Sequence, residues 1–333
     1  MTNLIEEFIQ PGLFNGLCYG IAAIGISLPL RFLGTADFTA VGAIMLGGIV
    51  TIWVTNMSEW WVFGLLCGSV VASLLGIFTA FLSLNKWFKI PLMLAGIITF
   101  TASQSFGLFI AVDASIELSP KIGFLSSIFS WFDIAITVVI ALTISLGGGI
   151  LARSKLGCLA FAMCANSNFV KFRHRNSQET TYWLLAISNF LVGLCGGLIV
   201  LKTRTAYSDI NMEFLSLTLG AIYTGHAVVQ LIAHVLKKKM TVEISSSLQP
   251  DNIENHKHYW ESFRLSLSPQ RDDSGRIWFI FLSYIIASIA LNDLAVAVRG
   301  DSLFHVSPAW EHIIVAMMIT LGLFLSNASQ KNK

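Results

Sequence analysis

The sequence predicts an all-α fold, a polytopic membrane helical bundle of about nine transmembrane helices with the N-terminus outside and the C-terminus inside. Three observations lead there. Apolar residues make up 55% of the 333-residue chain and charged residues only 12%, about half the charge of a soluble domain. The mean hydropathy is +0.71, concentrated in runs long enough to cross a bilayer. The basic residues fall almost entirely between alternate runs. The net charge of +2 says little beside that distribution.

A bilayer core takes about 20 apolar residues per helix. By that measure the spans are 12–31, 36–54, 61–82, 90–112, 132–152, 180–201, 213–236, 277–298 and 309–326. The first run stops at Arg31, and the short link Phe32-Leu33-Gly34-Thr35-Ala36 returns the chain to a second run that opens with Asp37-Phe38-Thr39. Lipid forbids unpaired polar groups, so a carboxylate at that mouth has to face protein or water. Arg31 lies close enough in sequence to pair with it. Trp60 and Trp61, at the start of the third run, suit an interfacial aromatic belt. The shorter apolar run from Ile122 to Phe132 reads as a re-entrant or interfacial piece.

With the N-terminus outside, 17 of the 21 Lys and Arg residues fall inside, and only Lys121, Lys202, Arg204 and Arg299 lie outside. This is a strong positive-inside bias, and adding or removing one early span would destroy it. The chain then divides into a transmembrane core over 1–236, a polar inner insert over 237–276, and a C-terminal pair of spans with a short tail over 277–333. The inner loop 153–179 contains Leu156 to Ala162, apolar enough for a short helix across the inner face. The Glu6-Glu7 pair and the length of the first run argue against a cleavable signal.

Enzymatic chemistry has little support. The chain holds no Gly-x-x-x-x-Gly-Lys phosphate loop, no His-Glu-x-x-His and no Gly-x-Ser-x-Gly. The five cysteines (Cys18, Cys67, Cys158, Cys164 and Cys195) have neither metal-ligand spacing nor a disulfide framework and read as small packed thiols. No metal and no cofactor is expected, and the basic residues follow topology instead of forming a nucleic-acid surface.

Polar residues inside the spans are the candidates for function. Span four carries Thr99, Thr101, Ser103, Gln104 and Ser105, and span six carries Ser188 and Asn189 ahead of Gly193, Gly196 and Gly197. Serine and threonine usually bond back to their own helix. Gln104 and Asn189 cannot satisfy an amide so easily, so they either line a cavity or bridge helices. Thr35-Ala36-Asp37-Phe38-Thr39 is echoed by Tyr207-Ser208-Asp209-Ile210-Asn211, each following a glycine-rich span and opening the next. The topology puts the two aspartates on opposite faces, as an inverted repeat would. Asp37, Thr39, Gln104, Asn189, Asp209 and Asn211 are therefore the candidate substrate pathway.

Five segments in order resemble the permease subunits of bacterial ATP-binding-cassette importers, of the branched-chain-amino-acid type and closest to those of the tryptophan/tyrosine-uptake class. They are Gly16 to Gly25, Asp37-Phe38-Thr39-Ala40-Val41-Gly42, Leu94 to Thr99, Ile187 to Leu194, and Asp209-Ile210-Asn211-Met212. The resemblance implies a second permease copy, like or unlike, two separate ATPase subunits, an extracytoplasmic substrate-binding protein and a location in the bacterial cytoplasmic membrane. It also implies an ATPase-coupling segment over Leu156–Arg175, where Leu156, Gly157, Ala162 and Asn166 match the family pattern. Asn166, Lys171, Arg173 and Arg175 are the candidate contacts. Phe161, Cys164 and Ala165 depart from that pattern, as do Val41, where a second acid is usual, and His226, where Glu is usual. The implied function is import of a small polar or amino-acid-like solute. The residues alone leave two alternatives: an ion-coupled carrier using Asp37 and Asp209, and a degenerate, non-transporting permease serving as a membrane scaffold.

Overall fold

The computed structural model describes residues 10–85, 88, 90–111, 115–119, 131–165, 177–207, 214–226, 228–229 and 277–299. Its helices, in chain order, are α1 (Gln10–Phe32), α2 (Thr39–Ser58), α3 (Trp61–Leu84), α4 (Leu92–Ile110), α5 (Trp131–Arg153), α6 (Lys155–Ala165), α7 (Ser177–Thr203) and α8 (Ile277–Arg299). Residues 214–226 are also helical. Among the described residues, six helices are long and apolar enough to cross a membrane: α1 to α4 over their full lengths, Ile134–Leu151 of α5, and Gln178–Thr203 of α7. These match the first six expected spans. The seventh is described only in part, α8 covers the eighth, and the ninth and the 237–276 insert lie outside the described residues.

The helices arise because apolar side chains fill almost every position, leaving the backbone to satisfy itself. Their polar hydroxyls mostly do likewise: Thr51 bonds to the Gly47 carbonyl at 2.7 Å, Ser69 to Leu65 at 2.8 Å and Thr101 to Ile97 at 2.9 Å. Glu59 ends α2 in the left-handed region (φ 59°), its N–H reaching the Thr55 carbonyl at 2.8 Å.

Burial separates a centre from a periphery. In α1, α2 and α7 more than 70% of the apolar window is buried, whereas in α4 and α5 only 28% is. Helix α7 packs along α1, α2 and α3, and α1 in turn packs against α8 and α5. Small residues permit these approaches. On α1, Gly12, Gly16 and Gly20 form one stripe against Asp293, Ile289 and Ile285 of α8. A Cβ at Gly16 or Gly20 would come within 2.6 or 2.8 Å of the facing Cα.

One end of the bundle is tied by a two-stranded antiparallel ribbon. Strand β1 (Ser115–Glu117), after α4, pairs with β2 (Thr205–Tyr207), after α7, with Ile116 opposite Ala206. Asn56, near the end of α2, donates to the Glu117 carbonyl and accepts from the Ser119 N–H, both at 2.9 Å. The C-terminal ends of α2, α4 and α7 thus meet at one end, the parity expected of spans two, four and six. Near the opposite end, Leu156 to Ala162 form part of α6, as the sequence suggested, after a break at Ser154.

Candidate functional site

The site begins with the link between α1 and α2. Gly25 of α1 lies beside Ser188 of α7, whose hydroxyl donates to the Gly25 carbonyl at 2.9 Å. Helix α1 then runs seven residues further, about 10 Å at the usual rise. Gly34 (φ +68°) supplies a left-handed turn that a side chain would resist. The link climbs back so that Asp37 meets Asn189, the neighbour of Ser188. Asn189 stands at the middle of the 27-residue α7. Helix α2 therefore starts deep in the bundle, and Asp37 lies well inside the mouth where the sequence put it.

Asp37 is only 2% exposed, and Thr39, Thr79, Thr99 and Asn189 are fully buried. The Thr39 N–H donates to Asp37 Oδ1 and Asn189 Nδ2 donates to Asp37 Oδ2, both at 2.9 Å. Asn189 Nδ2 is shared with the Leu185 carbonyl, also at 2.9 Å. The Thr39 hydroxyl is 2.7 Å from that of Thr79, which donates to the Thr99 hydroxyl at 2.9 Å. Thr99 donates in turn to the Ala95 carbonyl at 3.0 Å. One polar cluster thus joins the α1–α2 link, α2, α3, α4 and α7.

Two glycines admit it. A Cβ on Gly76 of α3 would meet the Leu185 carbonyl and approach Asn189 Nδ2 to 2.8 Å, and one on Gly96 of α4 would come within 3.2 Å of Asp37 Oδ1. The carboxylate is held by Thr39 and Asn189, and not by Arg31 as the sequence suggested. Arg31 stays in the last turn of α1 while the link carries Asp37 inward.

Of the candidate pathway residues, the structure brings Asp37, Thr39 and Asn189 together. Gln104 lies on α4 but off the face that carries Thr99 and Ser103, and is half-buried. Asp209 and Asn211 lie outside the described residues, as do the coupling candidates Asn166, Lys171, Arg173 and Arg175. The sequence reading passed over Thr79, whose signal was a hydroxyl one turn after Gly76, in a span that also carries Ser69 and Ser73. The cluster is closed in this conformation. A small apolar cavity lies elsewhere, between α1, α5, α6, α7 and α8, lined by Leu28, Phe32, Leu156, Trp183 and Phe281 among others.

Long apolar helices, an acidic side chain buried among them and close glycine-mediated packing define a multi-span membrane protein with a polar centre, the build of a permease. Residues 8–236 match the family described as branched-chain amino acid transport system / permease component. That is more than half of the chain, and the chain belongs to this family. No curated protein and no solved structure matches it.

Proposed function

We propose that the protein is the membrane-spanning permease subunit of an ATP-driven importer for a small polar or amino-acid-like solute, in a bacterial cytoplasmic membrane. The observation that carries this reading is the Asp37 cluster. A carboxylate buried among apolar helices is expensive, and intramembrane ionisable groups are kept mainly where they serve a pathway or a moving part. Here the carboxyl group fixes the start of α2 to α7, and the Thr39 hydroxyl ties it to α3 and, through Thr79, to α4, the helices that would shift if the permease alternates its open side.

Separate ATPase subunits supply the energy and an extracytoplasmic binding protein delivers the solute. Asp37, Thr39, Gln104, Asn189, Asp209 and Asn211 form the pathway and its supports. Asn166, Lys171, Arg173 and Arg175, which follow α6 in sequence, contact the ATPase. The chain has nine spans with the N-terminus outside, and the 237–276 insert is an inner surface loop.

The test is reconstitution in proteoliposomes with an ATPase that co-purifies with the chain, measuring uptake of small polar and amino-acid-like solutes. ATP-dependent uptake that falls with Asp37→Ala is expected. Uptake that persists without the ATPase and collapses with the ion gradient would overturn the reading in favour of an ion-coupled carrier.

A further inference from the structure

The donors and acceptors of the Asp37 cluster do not balance. Asn189 Nδ2 serves two acceptors, Asp37 Oδ2 and the Leu185 carbonyl, each at 2.9 Å. The Leu185 carbonyl can only accept, so turning the amide round would set oxygen against oxygen. The amide oxygen, Asn189 Oδ1, is buried, and no donor among the described residues reaches it. The other donors of the cluster are spent. The Thr39 N–H goes to Asp37 Oδ1, and the Thr39, Thr79 and Thr99 hydroxyls donate in series, ending on the Ala95 carbonyl. An unmet buried acceptor is costly.

The carboxyl group beside it has a deficit of its own. Its partners among the described residues, Thr39 and Asn189, are both neutral. The start of α2 contributes the equivalent of about half a positive charge, less than an ionised carboxylate needs. A proton on Asp37 would remove the charge and leave Asn189 Oδ1 unmet. A neutral water would meet Asn189 Oδ1 and leave the charge. A small monovalent cation does both.

We infer that the cluster is a binding site for one small alkali cation, held between Asp37 Oδ2 and Asn189 Oδ1 with threonine hydroxyl oxygens beside it. The oxygen and nitrogen of an amide lie about 2.3 Å apart, so Asn189 Oδ1 stands within roughly 5 Å of Asp37 Oδ2. A single oxygen-ligated cation spans that separation. The Thr39 and Thr79 oxygens each have two lone pairs to draw on. Two glycines form the cradle. A Cβ on Gly76 would approach Asn189 Nδ2 to 2.8 Å, and one on Gly96 would come within 3.2 Å of Asp37 Oδ1, so a side chain at either would fill the space beside the pair. One carboxyl group suits one positive charge. Among the described residues no three His, Cys, Asp or Glu side chains gather as a multivalent metal would need. Bound there, the cation clamps the start of α2 to the middle of α7. The inference goes beyond the permease reading, since the site needs neither ATPase nor solute.

The experiment uses the full chain in detergent. Binding of radioactive Na+ is measured by equilibrium dialysis, and thermal unfolding is followed in NaCl, choline chloride and methylammonium chloride at equal ionic strength. Saturable binding of one Na+ per chain is expected, with an unfolding midpoint several degrees higher in NaCl than in choline chloride. Asp37→Asn and Asn189→Ser should each weaken Na+ binding by about tenfold, equivalent to ~1.4 kcal/mol. Thr143→Val, at an exposed position on α5, should leave it unchanged. Gly96→Ala, which narrows the cradle and keeps every ligand, should also weaken binding, and it gives the reading if a ligand variant fails to fold. Equal midpoints in NaCl and choline chloride with no saturable Na+ binding would overturn the inference. So would stabilisation by methylammonium and not by Na+, which would assign the acceptors to an amine. Na+ binding that the cluster variants all retain would place the ion elsewhere and overturn it too. ATP-driven uptake by a chain that binds no Na+ would refute this inference alone, and a chain that binds Na+ here without ATP-driven uptake would refute the proposed function alone.

Discussion

Asp37 and Asn189, 152 residues apart in sequence, are joined by a 2.9 Å hydrogen bond in the buried centre of the bundle. The bond connects the start of α2 to the midpoint of α7, and the same carboxylate receives the Thr39 N–H at 2.9 Å. A buried carboxylate is tolerable only while its oxygens are met by donors. Asn189 is thus a condition for Asp37, and Asp37 anchors the re-entrant link.

Asn189→Leu keeps the branching and the number of side-chain heavy atoms and removes the donor. Hydrogen bonds to a carboxyl group that carries charge contribute roughly 1.5–3 kcal/mol, so a loss of up to that size is expected in the unfolding free energy of the detergent-solubilised protein. Asp37→Asn should cost less, because it keeps an oxygen to accept from the Thr39 N–H and buries no ionisable group. The two together should deviate from additivity by about 1 kcal/mol, as for residues in direct contact. Strict additivity would mean that the bond carries no energy.

Thr79→Val retains shape and deletes the hydroxyl between Thr39 and Thr99. Neutral hydrogen bonds between membrane helices are worth about 0.6 kcal/mol on average and rarely above 1.7. The predicted loss is therefore clearly smaller than for Asn189→Leu. A larger loss, measured in the same denaturant series, would show that the hydroxyl chain and not the carboxylate dominates the cluster.

Gly76→Ala and Gly147→Ala form a matched pair. At Gly76 the added methyl would run into the Leu185 carbonyl and crowd Asn189, whereas at Gly147 nothing lies within 4 Å. Overpacking costs typically about 1–3 kcal/mol, and a helical alanine in open space gains up to roughly 1 kcal/mol over glycine. Thermal stability followed by size-exclusion chromatography should fall for the first and hold or rise for the second. Equal effects would contradict the packing of α3 on α7.

Gly16→Ala probes the α1–α8 contact, where a Cβ would come within 2.6 Å of the Ile289 Cα. The helices must separate, so limited proteolysis should cut more readily on either side of α8, in 237–276 and after Arg299. Unchanged cleavage with full expression would argue that α8 does not dock on this stripe.

Much of the fold was legible because lipid imposes a simple rule: a segment of about 20 apolar residues satisfies its own backbone as a helix. The first six spans, the break before α6 and the packing role of the glycine-rich segments followed from that rule. The candidate site was legible in part. Asp37 and Asn189 stood out because an acid and an amide inside apolar runs need partners, but their pairing was not visible, and Arg31 looked the nearer partner along the chain. Thr79 was hidden because a hydroxyl that can bond to its own helix carries little signal.

The sequence by itself determined that this is a helical membrane protein, which segments are apolar enough to cross, and which polar residues are costly there. Those properties depend on composition over a single turn or a single span. Only the tertiary structure decided that the α1–α2 link re-enters the bundle, that Asp37 meets Asn189 in place of Arg31, and that Gln104 points away from the cluster its helix otherwise joins. These depend on helix rotation and on the depth at which each helix begins. Both are set by contacts between glycine-lined faces far apart in the chain, and apolarity specifies neither.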